Sequence, residues 1–153
     1  MANTYHQLYV QSVFAVKYRA SVLEPAWRSE FFGVVGNLIN ETGCTNIIVN
    51  GVEDHIHCFF GLIPSLSIAE VMQKVKSNSS GWLNKRNYVK HRFEWQSGYG
   101  SFSYSKSHVN NVFRYIQNQE AHHRKQTFRK EYINMLNRFG VKYDERYIFQ
   151  ELI

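Results

Sequence analysis

Residues 46–63, N-I-I-V-N-G-V-E-D-H-I-H-C-F-F-G-L-I, decide the architecture. Two runs rich in β-branched and aromatic residues flank a short polar turn at Glu53-Asp54. That pattern predicts a β-hairpin, with one strand from Asn46 to Val52 and its return from His55 to Ile63. Strand side chains alternate between faces, so His55 and His57 project together while Cys58 points the other way. Two imidazoles so placed can reach one ion at about 2.0–2.2 Å. Alone, the pair is better read as two polar-face histidines touching solvent or a carboxylate. A third ligand from elsewhere in the chain would change that reading.

Upstream of the hairpin, Tyr5 to Lys17 alternates as a strand, with Leu8, Val10, Phe14 and Val16 on one face and Tyr5, Gln7, Tyr9 and Gln11 on the other. Glu24-Pro25 opens a helix, since proline in the first turn forfeits no hydrogen bond, and Gly43 stops it. Gly33 and Gly36 inside it allow close packing on the sheet at a small cost in helix propensity. Downstream, Ser65 or Ser67 caps a second helix from about Ile68 to Asn87, with a kink expected at Ser77-Asn78-Ser79-Ser80-Gly81. Residues Phe93 to Ser105 read as a fourth strand broken by a glycine loop. A helix from Ser105 or Ser107 to about Arg124, a last helix from Phe128 to Phe139, and a docking arm from Val141 to Ile153 complete the chain. The order β-α-β-β-α-β followed by helices is the α+β, ferredoxin-like split βαβ pattern, whose antiparallel sheet can carry helices on one face and leave the other open. The whole chain, 1–153, reads as one domain.

The helix after the fourth strand carries the second half of the chemistry. Val109, Val112, Phe113 and Ile116 form its sheet-facing stripe, and His108, Asn111, Tyr115, Gln119 and His122 a polar row beside it. Tyr115 and Gln119, four residues apart, share a face. Each has a bland reading, as a boundary tyrosine and a solvated amide. Together with His-x-His they suggest metal-assisted phosphoryl transfer: a divalent ion on His55, His57 and Gln119, and Tyr115 as nucleophile. An amide ligand and phosphate oxygens favour Mg²⁺ or Mn²⁺ over zinc. Exchange of a phosphodiester for a phosphotyrosine conserves bond energy, so no nucleotide cofactor is required. Glu120 is a reserve ligand, Asp54 a candidate to orient a ligating imidazole, and His6, His91 and the adjacent pair His122-His123 rank lower.

The bulk numbers agree with a polyanionic partner. Lys and Arg number 18 against 12 Asp and Glu, a formal charge of +6, and aromatic residues make up 16% of the chain. Basic charge draws phosphates, and rings in polar company can stack on unpaired bases. No apolar run is long enough to cross a bilayer, and Met1-Ala2-Asn3-Thr4-Tyr5 lacks the features of a signal peptide. Cys44 and Cys58 are too few and too far apart for a zinc knuckle or redox pair, and read as reduced, buried thiols of a cytoplasmic protein.

Three stretches taken in order, E-D-H-I-H-C-F-F, W-Q-S-G-Y-G-S-F-S-Y-S and V-F-R-Y-I-Q-N-Q, resemble the single-tyrosine HUH transposases, which move small insertion sequences as single-stranded DNA. T-F-R-K-E-Y-I-N-M-L-N-R-F-G-V-K-Y-D-E-R-Y is similar to the C-terminal part of that family. The resemblance implies His55, His57 and Gln119 as metal ligands and Tyr115 as the residue that becomes linked to a DNA 5′ phosphate. It also implies single-stranded DNA with hairpin ends as partner, and a homodimer whose active sites combine the HUH strand of one subunit with the tyrosine helix of the other. Competing readings are a non-catalytic, domesticated nucleic-acid-binding module of the same shape, and a small metal-dependent hydrolase that activates water.

Overall fold

A computed structural model of the chain describes residues 3–148. Strands β1 (Tyr9–Ala15), β2 (Thr45–Gly51), β3 (His55–Gly61) and β4 (Gly100–Tyr104) form one antiparallel sheet in the order β2-β3-β1-β4. Helix α1 (Pro25–Glu41) connects β1 to β2, and α2 (Ile68–Arg86) connects β3 to β4. This is the α+β, ferredoxin-like split βαβ arrangement that the element order implies. β1 is shorter than its alternating pattern, because its partners stop: Tyr9 is already paired with Gly61 at the end of β3 and with Tyr104 at the end of β4. Leu8, expected in the core, is therefore 43% exposed.

The sheet divides the chain's side chains into two layers. On one face Val10 and Phe14 of β1 and Ile56, Cys58 and Phe60 of β3 meet Phe31, Val35 and Ile39 of α1 and Val71, Met72, Val75 and Leu83 of α2. Gly36 lets α1 lie close on β2, since a Cβ there would stand 2.6 Å from Asn46 Nδ2; Gly33 faces open space and plays no such part. Ser67 caps α2 reciprocally, accepting from the Glu70 N–H while the Glu70 carboxylate accepts from the Ser67 N–H. The kink expected at Ser77–Gly81 is absent: α2 runs through unbroken. Ser79 and Ser80 turn their hydroxyls back to the carbonyls of Lys76 and Ser77, and buried Ser79 also accepts from Trp95 Nε1 at 2.9 Å. Cys44 and Cys58 are free thiols, both buried.

The second face is covered, not open. Helices α3 (Val109–Gln117), α4 (Gln119–His123) and α5 (Phe128–Arg138) lie over it. Val112 and Ile116 of α3 pack on Phe59 of β3. Phe128, Met135 and Leu136 of α5 pack on Val13, Ala15 and Phe102. An apolar stripe on a helix must be buried somewhere, and this sheet face is what the last helix finds. Beyond α5, Tyr143 and Ile148 add to the same cluster, and the Ile148 carbonyl accepts from Gln96 Nε2. The expected docking arm is thus in place as far as residue 148, its remainder falling outside the described residues.

The β2–β3 hairpin is tight enough to need glycine at its base. A Cβ on Gly51 would strike the His55 carbonyl and stand 2.8 Å from Ile56 Cα. Gly51→Ala should therefore lower stability by about 1–3 kcal/mol, the range for overpacking. Gly81→Ala, on an exposed helical position with open space around it, should instead raise it by about 0.5–1 kcal/mol. Paired thermal melts of the two variants check both signs.

Candidate active site

β3 delivers His55 and His57 to the second face, where both are fully buried. Their outer nitrogens are held. His55 Nδ1 lies 2.8 Å from Asp54 Oδ1, and His57 Nδ1 lies 2.7 Å from Gln11 Oε1. Gln11 is itself oriented by donating from Nε2 to the Tyr104 hydroxyl at 2.8 Å. A carboxylate and an amide oxygen accept at Nδ1, so each Nε2 faces inward, where it donates to Glu131 when protonated and offers a lone pair to a cation when not. Asp54 thus has the orienting part its position in the sequence suggested. Phe128 of α5 stacks flat on His55, with ring centroids 3.7 Å apart.

Opposite the histidines stand two groups from different helices. Gln119 is fully buried, with Oε1 3.3 Å from His55 Nε2. Glu131, only 3% exposed, places Oε1 3.2 Å from His57 Nε2 and 3.4 Å from His55 Nε2. Its Oε2 accepts from Gln119 Nε2 at 3.1 Å and, in a very short bond, from the Tyr115 hydroxyl. His123 Nε2 completes the set, 3.0 Å from Glu131 Oε1. Tyr115 lies over His57 with ring centroids 5.9 Å apart, and His122 lies 4.7 Å from the tyrosine ring. All four residues singled out in the sequence therefore meet within one chain. The expected single helix through Tyr115 and Gln119 is instead two, broken at Asn118 (φ −95°, ψ 22°). Backbone bonds from Asn118 N to Arg114 O and from His122 N to Asn118 O carry the chain across the break.

The tyrosine helix is tied to its own sheet. Asn50 Nδ2 donates to the carbonyls of Ile116 and Gln117, and Arg28 of α1 pairs with Glu120 at 2.6 Å. Glu120, the reserve ligand of the sequence reading, is therefore occupied at the helix margin and not at the centre. His122 and His123 point to different sides, as adjacent helical residues must, yet both reach the site: one beside Tyr115, the other on Glu131. Gln11, His123 and above all Glu131 are the residues that sequence reasoning missed. A signal for Glu131 existed: it interrupts the apolar stripe Phe128, Met135 and Leu136 of α5, a place where a charge must have partners.

The electrostatics follow from burial and these partners. Burial works against the Glu131 charge, but hydrogen bonds from His123, His55 and His57 outweigh it and hold the carboxyl well below the usual range. Burial likewise opposes a charge on His55, yet the bonds to Asp54 and Glu131 leave its pKa raised. For His57 burial wins and the pKa falls. Burial, then the adjacent Glu131 carboxylate, push the Tyr115 phenol above its ordinary range.

The donor set fits a divalent cation. With Nε2 deprotonated, His55 and His57 present lone pairs beside the oxygens of Gln119 and Glu131, and a cation in place of the Nε2 protons would satisfy all four groups. Donors each about 2.1 Å from one ion stand roughly 3.0 Å apart in octahedral and 3.4 Å in tetrahedral geometry; Glu131 Oε1 stands 3.2 and 3.4 Å from the two imidazole nitrogens, and the three ligand atoms lie within 4.8 Å of one another. Glu131→Gln should weaken Mn²⁺ binding by about 10- to 100-fold. Calorimetric titration of the purified protein reads this directly, and unchanged affinity would place Glu131 outside the ion's shell.

A family model described as "Transposase IS200 like" matches residues 4–119. A candidate transposase from Deinococcus radiodurans R1 has a similar structure, with TM-score 0.63 and 18% identity over 78% of this chain and 95% of that one. So does the REP-associated tyrosine transposase bound to a REP hairpin, with TM-score 0.59 and 12% identity over 80% of this chain and 73% of that one. At these identities the likeness is one of fold. Comparison with curated proteins found no match.

Proposed function

The chain belongs to the IS200-like transposase family, and we propose that it cleaves and rejoins single-stranded DNA at insertion-sequence ends through a phosphotyrosine on Tyr115. The observation that supports this most is the convergence of Tyr115, Gln119, His55 and His57 on one buried carboxylate, Glu131, within a single chain. A binding surface has no need of such a cluster, and hydrolysis by water has no need of the tyrosine.

The Tyr115 oxygen attacks phosphorus, the P–O3′ bond breaks, and the DNA is left with a free 3′-OH and a 5′-phosphotyrosine. The phenol is held protonated by its surroundings, so its proton needs a destination; the Glu131 oxygen it already bonds is the nearest acceptor, and passing that proton on to the departing O3′ yields the 3′-OH. A divalent ion held by His55, His57, Gln119 and Glu131, with Mg²⁺ or Mn²⁺ the best match to this mixed N/O set, would supply Lewis-acid polarisation of the scissile phosphate. Asp54 and Gln11 keep the imidazoles in the right tautomer, while Phe128 shields His55 from water. Reversal of the same step by an incoming 3′-OH rejoins strands with no energy source beyond the phosphotyrosine bond. Hairpin-bearing DNA and a second copy of the chain complete the proposed assembly. Exchange of tyrosine helices between copies would require the Asn50 and Arg28 ties to break.

The test is an SDS-resistant adduct assay with labelled single-stranded DNA carrying hairpins and the sequence flanking the protein's own gene, with Mg²⁺ or Mn²⁺ added. A covalent band is expected, lost on chelation and reduced by about 10³-fold or more in Tyr115→Phe and His57→Ala. Metal-independent binding with no adduct, on DNA shown to carry the element ends, would place the chain among non-catalytic binding modules. Adducts that persist in Tyr115→Phe would move the nucleophile elsewhere.

A further inference from the structure

Beside Tyr115 the second face opens into a groove of about 510 Å³ between α3 and α5, floored by Gln11 and Tyr104. One end is the tyrosine itself. From there the polar row of α3, with His108 and Asn111, forms one wall, and Asn134 and Arg138 of α5 form the other. Tyr104, Met135 and Phe139 supply apolar surface, the two rings meeting edge-on with centroids 5.4 Å apart. Phe139 remains 37% exposed although it sits in this groove, so part of a ring face is left for another flat group.

This set of walls is selective in its chemistry. Aromatic and thioether surface stacks on a base, carboxamides read the donor and acceptor edge of one, and a guanidinium takes a phosphate. The volume lies within the range of small-molecule sites. A group attached to a phosphate under attack by Tyr115 would have to enter here or leave the protein surface. Resting on the reading of Tyr115 as the nucleophile, we infer that the α3–α5 groove holds one unpaired nucleotide flanking the scissile phosphate. Asn111 and Asn134 select its base, and Arg138 grips the backbone phosphate beyond it. The helix that carries the nucleophile and the last helix of the chain thus form a nucleotide-selecting subsite, so local sequence preference at the cut is built into the protein.

The experiment uses the full chain, Mn²⁺ and a single-stranded DNA pool that keeps the hairpin and gene-flanking ends but randomises the nucleotides around the cut, with a parallel pool carrying 4-thiothymidine for photo-crosslinking. Covalent adducts are trapped, and both halves of the cleaved strands are sequenced. In the wild-type protein a base preference is expected at one position adjoining the phosphotyrosine, with crosslinks on Tyr104, Met135 or Phe139. Asn111→Ala and Asn134→Ala should flatten that preference without stopping adduct formation. Arg138→Ala should slow adduct formation roughly tenfold at every sequence. These three side chains are exposed, and coincident thermal melts show that the variants fold. Adducts with unchanged preference and rate in all three variants overturn the subsite while leaving the tyrosine chemistry intact. Crosslinks in the groove with no adduct support the subsite and overturn the chemistry. Crosslinks confined to the α1–α2 face with no adduct overturn both.

Discussion

A carboxylate that is 3% exposed organises this site. A buried charge costs several kcal/mol unless partners surround it, and Glu131 has them on both oxygens: His55, His57 and His123 at one, Tyr115 and Gln119 at the other. These come from β3, α3 and α4, so satisfying one charge on α5 fixes the relative placement of four elements. The same carboxylate faces both the Tyr115 phenol and the inward nitrogens of His55 and His57. The proposed nucleophile and the candidate ion site therefore share a single side chain.

The sheet makes that coupling possible by keeping two interiors apart. Along β3 the alternation sends Ile56, Cys58 and Phe60 into the core with α1 and α2, and His55, His57 and Phe59 to the other side. The first layer is a conventional apolar core, dense with rings around Phe31 and Trp95. The second layer is mixed: apolar where α3 meets Phe59 and where α5 meets Phe102, polar between those two contacts. The candidate site occupies the polar gap. Its rigidity comes from the packing on either side and from the Asn50 and Arg28 ties that hold the tyrosine helix down.

The break at Asn118 shows how local irregularity serves the site. A straight helix would carry Gln119 on the Tyr115 side with one fixed offset. Here the chain relaxes at Asn118, Gln119 sinks to full burial against His55, and Tyr115 stays half-buried at the mouth of the groove. One side chain is thus interior, and its neighbour one turn away, the proposed nucleophile, faces the groove. Arg28–Glu120 anchors the short helix that follows, which keeps His122 and His123 on opposite sides of the same approach.

Much of this was legible before any coordinates. The hairpin, the βαββαβ order and the shared face of His55 and His57 follow from periodicities of two and 3.6, which are local properties of the chain. The polar row His108, Asn111, Tyr115 and His122 was visible for the same reason, and it became the wall of the groove. Asp54 could be suspected because it adjoins the histidine it orients. Covering of the second face, the length of β1 and the unbroken α2 were not legible, since each depends on what a distant segment offers: a stripe on α5, the ends of β3 and β4, the Trp95 indole on Ser79. Glu131 lies 74 residues from His57 and 16 from Tyr115, and no repeat or spacing links them. A charge in an apolar helical stripe announces that it needs partners, but only the folded chain, by laying α5 across β3, decides which ones it finds.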